Sequence, residues 1–427
     1  MTLQEWRNVF GEPRFLKALE PLYGKKACEN VPRYEKLLRF YEDSFCVQED
    51  MEVCLFSAPG RTEIGGNHTD HQHGRVLAAS VDMDMIAAAS VTEDGVIRIL
   101  SEGYPVCTIP IGDLEVKEEE KNSTAALIRG VAASFVSRGC DLKGFQAAVT
   151  SSVLPGSGIS SSAAFEVLVG NIINGLFFAG KASAVEIAQI GQYAENVYFG
   201  KPSGLMDQMA SSVGNILTID FADPVHPEVT KLDVDFEKAD LALCIIDSGA
   251  DHADLTDEYA AIPAELKKVC HLFGKEVLRD IPEEQFFDRL SEVREAAGDR
   301  AVLRAVHFYQ DNARVERQAK ALSQGDLSQF LKLVRESGFS SYMYLQNIVP
   351  CGAKEHQEMG VALAVCDKLL GERGAFRVHG GGFAGTVQAF IPTDMLGDFL
   401  KGIEALLGEG RAHVLQIRSV GGVQICV

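Results

Sequence analysis

Leu154-Pro-Gly-Ser-Gly-Ile-Ser-Ser-Ser-Ala-Ala164 joins an apolar run, Phe145–Ser151, to a long apolar segment, Ala163–Phe178. The first run has strand texture and the second is long enough for a helix, so the small residues between them form a strand–turn–helix unit. Glycine lets a backbone approach a ligand closely, and a helix N-terminus offers unpaired N–H groups to an anion. The hydroxyls of Ser160, Ser161 and Ser162 add donors and candidate Mg2+ ligands. An ordinary turn with a serine N-cap uses the same residues, and the stretch alone leaves both readings standing.

Outward from this turn the chain mixes the two kinds of element. Residues 1–50 read as helical, with Trp6, Phe10, Phe15, Leu19, Leu37, Leu38, Phe40 and Tyr41 as apolar positions. Short β-like runs follow at Val53–Ser57, Val76–Val81, Met85–Val91 and Val96–Ser101, then a helix over Thr124–Ser137. Ala182–Phe199 is again helical, and Ile216–Asp220 and Leu241–Asp247 are strand-like. Helical stretches dominate from 255 to 370, before two strands near 375–391 and a final helix–strand pair. The pattern is α+β in two lobes, divided in the loop around Pro224–Glu228 into 1–226 and 227–427.

Charge narrows the function classes. Sixty Asp and Glu against 40 Lys and Arg leave −20 over 427 residues, a field that repels nucleic acid and anionic membrane. The densest basic stretches are the dipeptides Lys25-Lys26 and Lys267-Lys268. No apolar run is long enough to span a bilayer, and MTLQEWRNVF lacks the pattern of a secretion signal. The 10 cysteines are scattered, without a CxxC pair, as reduced thiols in a cytoplasmic protein are. The expectation is a cytoplasmic protein with no nucleic-acid and no membrane partner.

Three more segments are candidates for chemistry. Ser57-Ala-Pro-Gly-Arg-Thr-Glu-Ile-Gly-Gly-Asn-His-Thr-Asp-His-Gln-His-Gly74 reads as a polar, glycine-rich loop after a strand. Its His68, His71 and His73 have neither a cysteine nearby nor helical spacing, which makes zinc the weaker reading. Glu195 and Gly200-Lys-Pro-Ser-Gly-Leu-Met-Asp-Gln208 supply carboxylates suited to metal binding and proton transfer, or to a solvated surface. Arg377-Val-His-Gly-Gly-Gly-Phe-Ala-Gly385 suits a close backbone approach, or equally a strand turn. An esterase oxyanion hole needs a Gly-x-Ser-x-Gly elbow, and a P-loop needs Gly-x-x-x-x-Gly-Lys-Ser/Thr; the chain has neither.

In this order the four segments closely resemble the galactokinase branch of the GHMP small-molecule kinases, over nearly the whole chain. The branch's signature, Gly-Arg-Val-Asn-Leu-Ile-Gly-Glu-His-Thr-Asp-Tyr-Asn, stands here as Gly60-Arg-Thr-Glu-Ile-Gly-Gly-Asn-His-Thr-Asp-His-Gln72. Pro155–Ala164 resembles its phosphate loop, Gly204-Leu-Met-Asp-Gln208 its Gly-x-Met-Asp-Gln, and Gly380-Gly-Gly-Phe-Ala-Gly385 its third motif. The resemblance implies an N-terminal lobe like ribosomal protein S5, a ferredoxin-like C-terminal lobe, and an active site in the cleft between them. It implies transfer of phosphate from ATP, with Mg2+, to the C1 hydroxyl of galactose, by a monomer or weak homodimer.

By the same resemblance, Asp207 is the base and Arg61 holds it ionised and orients the reacting oxygen. Ser162 and Glu195 hold Mg2+, while Gly156, Ser157, Gly158, Ser160 and Ser161 wrap the phosphates. Asn67, His68, Asp70, Gly204 and Tyr259 contact the sugar. Some members of the branch are sugar-sensing regulators that lack part of the phosphate loop; here Ser160-Ser-Ser-Ala-Ala164, Arg61, Glu195 and Asp207 are intact, which favours an enzyme.

The chain departs from the branch at several points. Asn67 stands where the family has a Glu that reaches the sugar's C6 hydroxyl, Thr62-Glu63 replaces Val-Asn, and His71-Gln72 replaces Tyr-Asn. The aromatic near adenine falls on Thr124, and an Arg-Arg pair is replaced around Ile262-Pro263. A Glu about 4 Å from a substrate carboxylate costs on the order of 4 kcal/mol at an effective dielectric near 20. A neutral amide at 67 removes that cost, so galacturonate, or another galactose-like sugar, is the alternative substrate to galactose.

Overall fold

The computed structural model describes residues 1–153, 158–236, 238–250 and 255–427. Among the described residues twelve strands form two sheets: β1 (Cys54–Gly65), β2 (Arg75–Thr92), β3 (Val96–Ser101), β4 (Cys107–Pro110), β5 (Gly144–Ser151), β6 (Ile216–Asp220), β7 (Glu228–Leu232), β8 (Leu241–Asp247), β9 (Ala375–His379), β10 (Thr386–Pro392), β11 (Ala412–Leu415) and β12 (Val423–Ile425). The larger sheet runs β12-β1-β2-β5-β3-β4, with β6 pairing β2 and β7; the smaller runs β11-β8-β10-β9. The fold is α+β, as the pattern of elements implied.

Strand alternation explains how the larger sheet is covered. Leu55, Ile86, Ala88 and Ala148 pack on one face against Trp6, Phe15, Leu19, Tyr34 and Leu37 of the N-terminal helices. Phe56, Ala87, Ala89 and Ala147, one residue out of step, pack on the other against Ile128, Val131, Leu168 and Ile172 of the helices Thr124–Ser137 and Ser161–Phe177. The smaller sheet divides likewise. Leu243 and Ile245 join Ile64, Leu77 and Val81 of the larger sheet in one core, whereas Cys244 and Ile246 face the helices Glu358–Leu370 and Leu396–Leu407.

Two expectations change. The polar stretch after Ser57 is not a loop at its start: β1 continues to Gly65, and every position from Leu55 to Gly65 is buried. Strand survives there because the buried polar groups find partners across the lobes. Thr62 Oγ1 accepts from Gln388 at 2.6 Å, and Glu63 accepts from Arg377 at 2.5 Å. The runs 76–81 and 85–91 form one bent strand, β2. The interruption between them holds Asp84, wholly buried, which accepts from Tyr23 and Ser57 at 2.5 Å, Arg33 at 2.7 Å and Arg418 at 3.1 Å. This knot ties the N-terminal helices and the C-terminal segment to the larger sheet.

Candidate active site

The far half of β1 carries Arg61 into the interface between the lobes. Its Nε and Nη2 donate to the two carboxylate oxygens of Asp207 at 2.6 and 2.7 Å, and its Nη1 donates to the Gly158 carbonyl. Asp207 lies in the first turn of the helix Met206–Val213. Ser160 donates to the same carboxylate at 2.7 Å. Ser160 has a left-handed backbone, φ 58°, and makes no side-chain cap on the helix Ser161–Phe177 that follows, so its hydroxyl is free to turn outward. Burial pushes the Asp207 carboxyl up, but Arg61 and Ser160 outweigh it and hold the group below its ordinary value. The side chain keeps about 30% of its surface open.

A second carboxylate stands beside this pair. The helix Ala184–Tyr193 widens into a π turn, Ala194–Phe199, which carries Glu195. Such turns re-aim side chains within a helix. Glu195 Oε1 accepts from Ser162 at 3.3 Å and Lys201 at 3.2 Å, and Oε2 accepts from Gln208 at 2.8 Å. Gln208 also donates to buried Glu166 at 2.9 Å. Burial, then the charge of Glu195, raises the Glu166 carboxyl well above its ordinary value. One carboxylate and one hydroxyl are hard oxygen donors of the kind Mg2+ shares with phosphate oxygens and water, and a lysine ammonium already rests on Glu195, so the donor set fits a cation. Among the described residues no group of three or more His, Cys, Asp or Glu is arranged to hold a metal by itself.

The expected sugar contacts separate into two sets. Asp70 and Gly204 meet closely: a Cβ on Gly204 would run into the Asp70 carboxylate. His68 Nε2 lies 3.0 Å from the Gly381 carbonyl, and burial, with His71 adding to it, lowers its pKa to about 3, so it is neutral. Tyr259 donates to the Gly382 carbonyl at 2.7 Å, and its ring fills the space a Cβ on Gly381 would need. The triple glycine is thus both a turn between β9 and β10 and a close backbone approach, the two readings its composition left open.

Asn67 is the exception. It is wholly buried; its amide donates to Glu63 at 2.9 Å and Gly380 at 2.8 Å, and accepts from Ser341 at 3.2 Å and Asn347 at 2.8 Å. Both protons and both lone-pair directions are used inside the protein, so Asn67 has nothing left to offer a C6 substituent. Its place among the sugar contacts is withdrawn on that ground.

Of the phosphate-loop residues, Gly158, Ser160, Ser161 and Ser162 gather at the start of the helix Ser161–Phe177, while Gly156 and Ser157 lie outside the described residues. Sequence reasoning missed Lys201 and Gln208, although both stand in a segment it singled out. It also missed His379, whose Nε2 lies 3.1 Å from Thr62 Oγ1; its only signal was membership of the Arg377–Gly385 segment.

Comparison with known proteins agrees with this geometry. The family profile for the GHMP kinases N terminal domain matches residues 126–215, and the galactokinase galactose-binding signature matches residues 39–91. Mevalonate kinase from Methanococcus jannaschii shares the fold, with TM-score 0.61 over 86% of this chain and 98% of that one at 14% identity. Fold and profile together point to the GHMP kinases, phosphotransferases that use ATP. Galactokinase from Actinobacillus pleuropneumoniae serotype 5b (strain L20) is 30% identical over 340 residues, 78% of this chain and 84% of that protein. A crystal structure of Lactococcus lactis galactokinase complexed with galactose matches with TM-score 0.78 and 25% identity, covering 92% of this chain and 99% of that one. The chain belongs to the galactokinase family.

Proposed function

We propose that this chain transfers the γ-phosphoryl group of ATP to the C1 hydroxyl of galactose. The observation that carries the reading is the convergence of Arg61 and Ser160 on Asp207, next to the Ser162–Glu195 pair at a helix N-terminus. Asp207, ionised and partly open, takes the hydroxyl proton as the sugar oxygen attacks. Arg61 fixes the orientation of that carboxylate through both of its oxygens. The N–H groups at the start of the helix Ser161–Phe177, with Gly158, Ser160 and Ser161, face the phosphates, where fixed dipoles offset negative charge. Ser162 and Glu195 would hold Mg2+, which would supply positive charge to offset that of the phosphates. His68, Asp70, Gly204 and Tyr259 shape the sugar side. The active site lies between the lobes 1–226 and 227–427, with β7 and β12 of the second segment completing the first lobe's sheet.

The argument for galacturonate drew on Asn67 facing C6, and the saturated hydrogen bonds of Asn67 remove that support. The test is ADP release with Mg2+ against galactose, galacturonate, N-acetylgalactosamine, arabinose and glucose. Galactose is expected to be turned over fastest. A higher kcat/KM on any other sugar in the panel, or no turnover at all, overturns the substrate assignment.

A further inference from the structure

The loop between the π turn and the helix Met206–Val213 carries a cation that none of the roles above uses. The Gly200 and Lys201 N–H groups both donate to the Glu195 carbonyl, at 3.0 and 3.1 Å. Pro202 follows with its fixed φ, and Ser203 is tied to Asn196 through its N–H at 2.7 Å and its hydroxyl at 3.1 Å. The root of the Lys201 side chain is therefore held in place. From it the ammonium reaches back to Glu195 Oε1 at 3.2 Å, the oxygen that also takes the Ser162 hydroxyl. Lys201 is 60% exposed while Glu195 is 4% exposed, so the lysine closes the solvent side of a buried carboxylate.

Two carboxylates, Asp207 and Glu195, stand beside a site that must accept a triphosphate, and Arg61 pairs with Asp207. A lysine on a four-carbon stem can exchange one oxygen anion for another without moving its backbone. We propose that Lys201 is a second cation of the phosphoryl-transfer site. It neutralises Glu195 before nucleotide arrives, then leaves it to contact an oxygen of the γ-phosphoryl group. The proposal rests on the phosphotransfer reading and adds to it a catalytic residue that contacts substrate.

The test compares the full chain with Lys201→Met and Lys201→Arg. Calorimetry in EDTA reads ATP against ADP binding, and steady-state rates with Mg2+ read kcat and the sugar KM. Wild type is expected to prefer ATP over ADP by about tenfold without metal, and Lys201→Met to lose that preference. The same variant is expected to lower kcat by about tenfold or more with sugar KM held within about twofold, and Lys201→Arg to restore the preference for ATP. An unchanged preference in Lys201→Met, or none in wild type, overturns the proposal. Should wild type phosphorylate no sugar in the panel yet show a preference that depends on Lys201, the substrate assignment fails and the role of Lys201 stands.

Discussion

Replacing Asp207 by Asn removes one charge while keeping the outline of the side chain, and so separates proton transfer from substrate fit. In the wild-type site Arg61 donates to both carboxylate oxygens and Ser160 adds a third donor. An amide presents one oxygen, so one of the two Arg61 bonds is lost. A hydrogen bond to a charged group contributes about 1.5–3 kcal/mol, which a folded protein of this size withstands. The effect on rate follows from the same partners. Because Arg61 and Ser160 hold the carboxyl below its ordinary value, Asp207 is a weak base, and general-base catalysis is least effective when the base is far below the working pH. The loss is therefore expected near the low end of the usual range, about 10²–10³-fold in kcat, or about 3–4 kcal/mol in barrier. Initial rates of ADP release with galactose measure it, and calorimetry should find sugar binding within about threefold of wild type. Turnover by the variant within threefold of wild type would refute the assignment of Asp207 as base.

Three further outcomes are expected. Asp84→Ala leaves Arg418, itself wholly buried, without its carboxylate, and should lower the urea unfolding free energy by about 3–5 kcal/mol; a change under 1 kcal/mol contradicts the reading of the knot. Burial lowers the pKa of His307, takes that of His379 well below its ordinary value and that of His68 to about 3, so His68 and His379 stay neutral in the fold while the unfolded chain binds protons below about pH 6.5. Stability should then fall as pH drops from 6.5, approaching about 1.4 kcal/mol per pH unit for each histidine, and equal urea midpoints at pH 7.5 and 5.5 would be inconsistent with buried neutral rings. Gly204→Ala forces Asp70 to move, and is expected to raise the galactose KM about tenfold with a smaller change in kcat; an unchanged KM removes this contact from the sugar side.

Local pattern made much of the fold readable. Helix Thr124–Ser137 and strands Val96–Ser101, Ile216–Asp220 and Leu241–Asp247 stand where apolar periodicity put them. What periodicity cannot reveal is long-range compensation. Arg61, Thr62 and Glu63 look like loop residues because their partners, Asp207, Gln388 and Arg377, are far away in sequence. Asp84 broke the pattern of β2 for the same reason. At the site, the resemblance to the galactokinase branch, more than spacing alone, named Arg61, Ser160, Ser162, Glu195 and Asp207 as neighbours. It failed at Asn67, whose side chain turns toward Ser341 and Asn347 of the opposite lobe, a direction spacing along one segment does not encode.

The pairing of β12 with β1 sets Leu55 against Ile425 and Ser57 against Val423. A chain emerging from the ribosome can therefore form the helices and the inner strands of its first sheet early, while β1 remains an open edge until residues 423–425 have been made. Long-range closure of this kind is slow, because loop entropy is lost before the contact forms. During that interval the unpaired N–H and C=O groups of β1 are a template for another chain. Loss of residues 423–425 would leave that edge permanently bare, so aggregation during synthesis, rather than weakened catalysis, is the failure this topology invites.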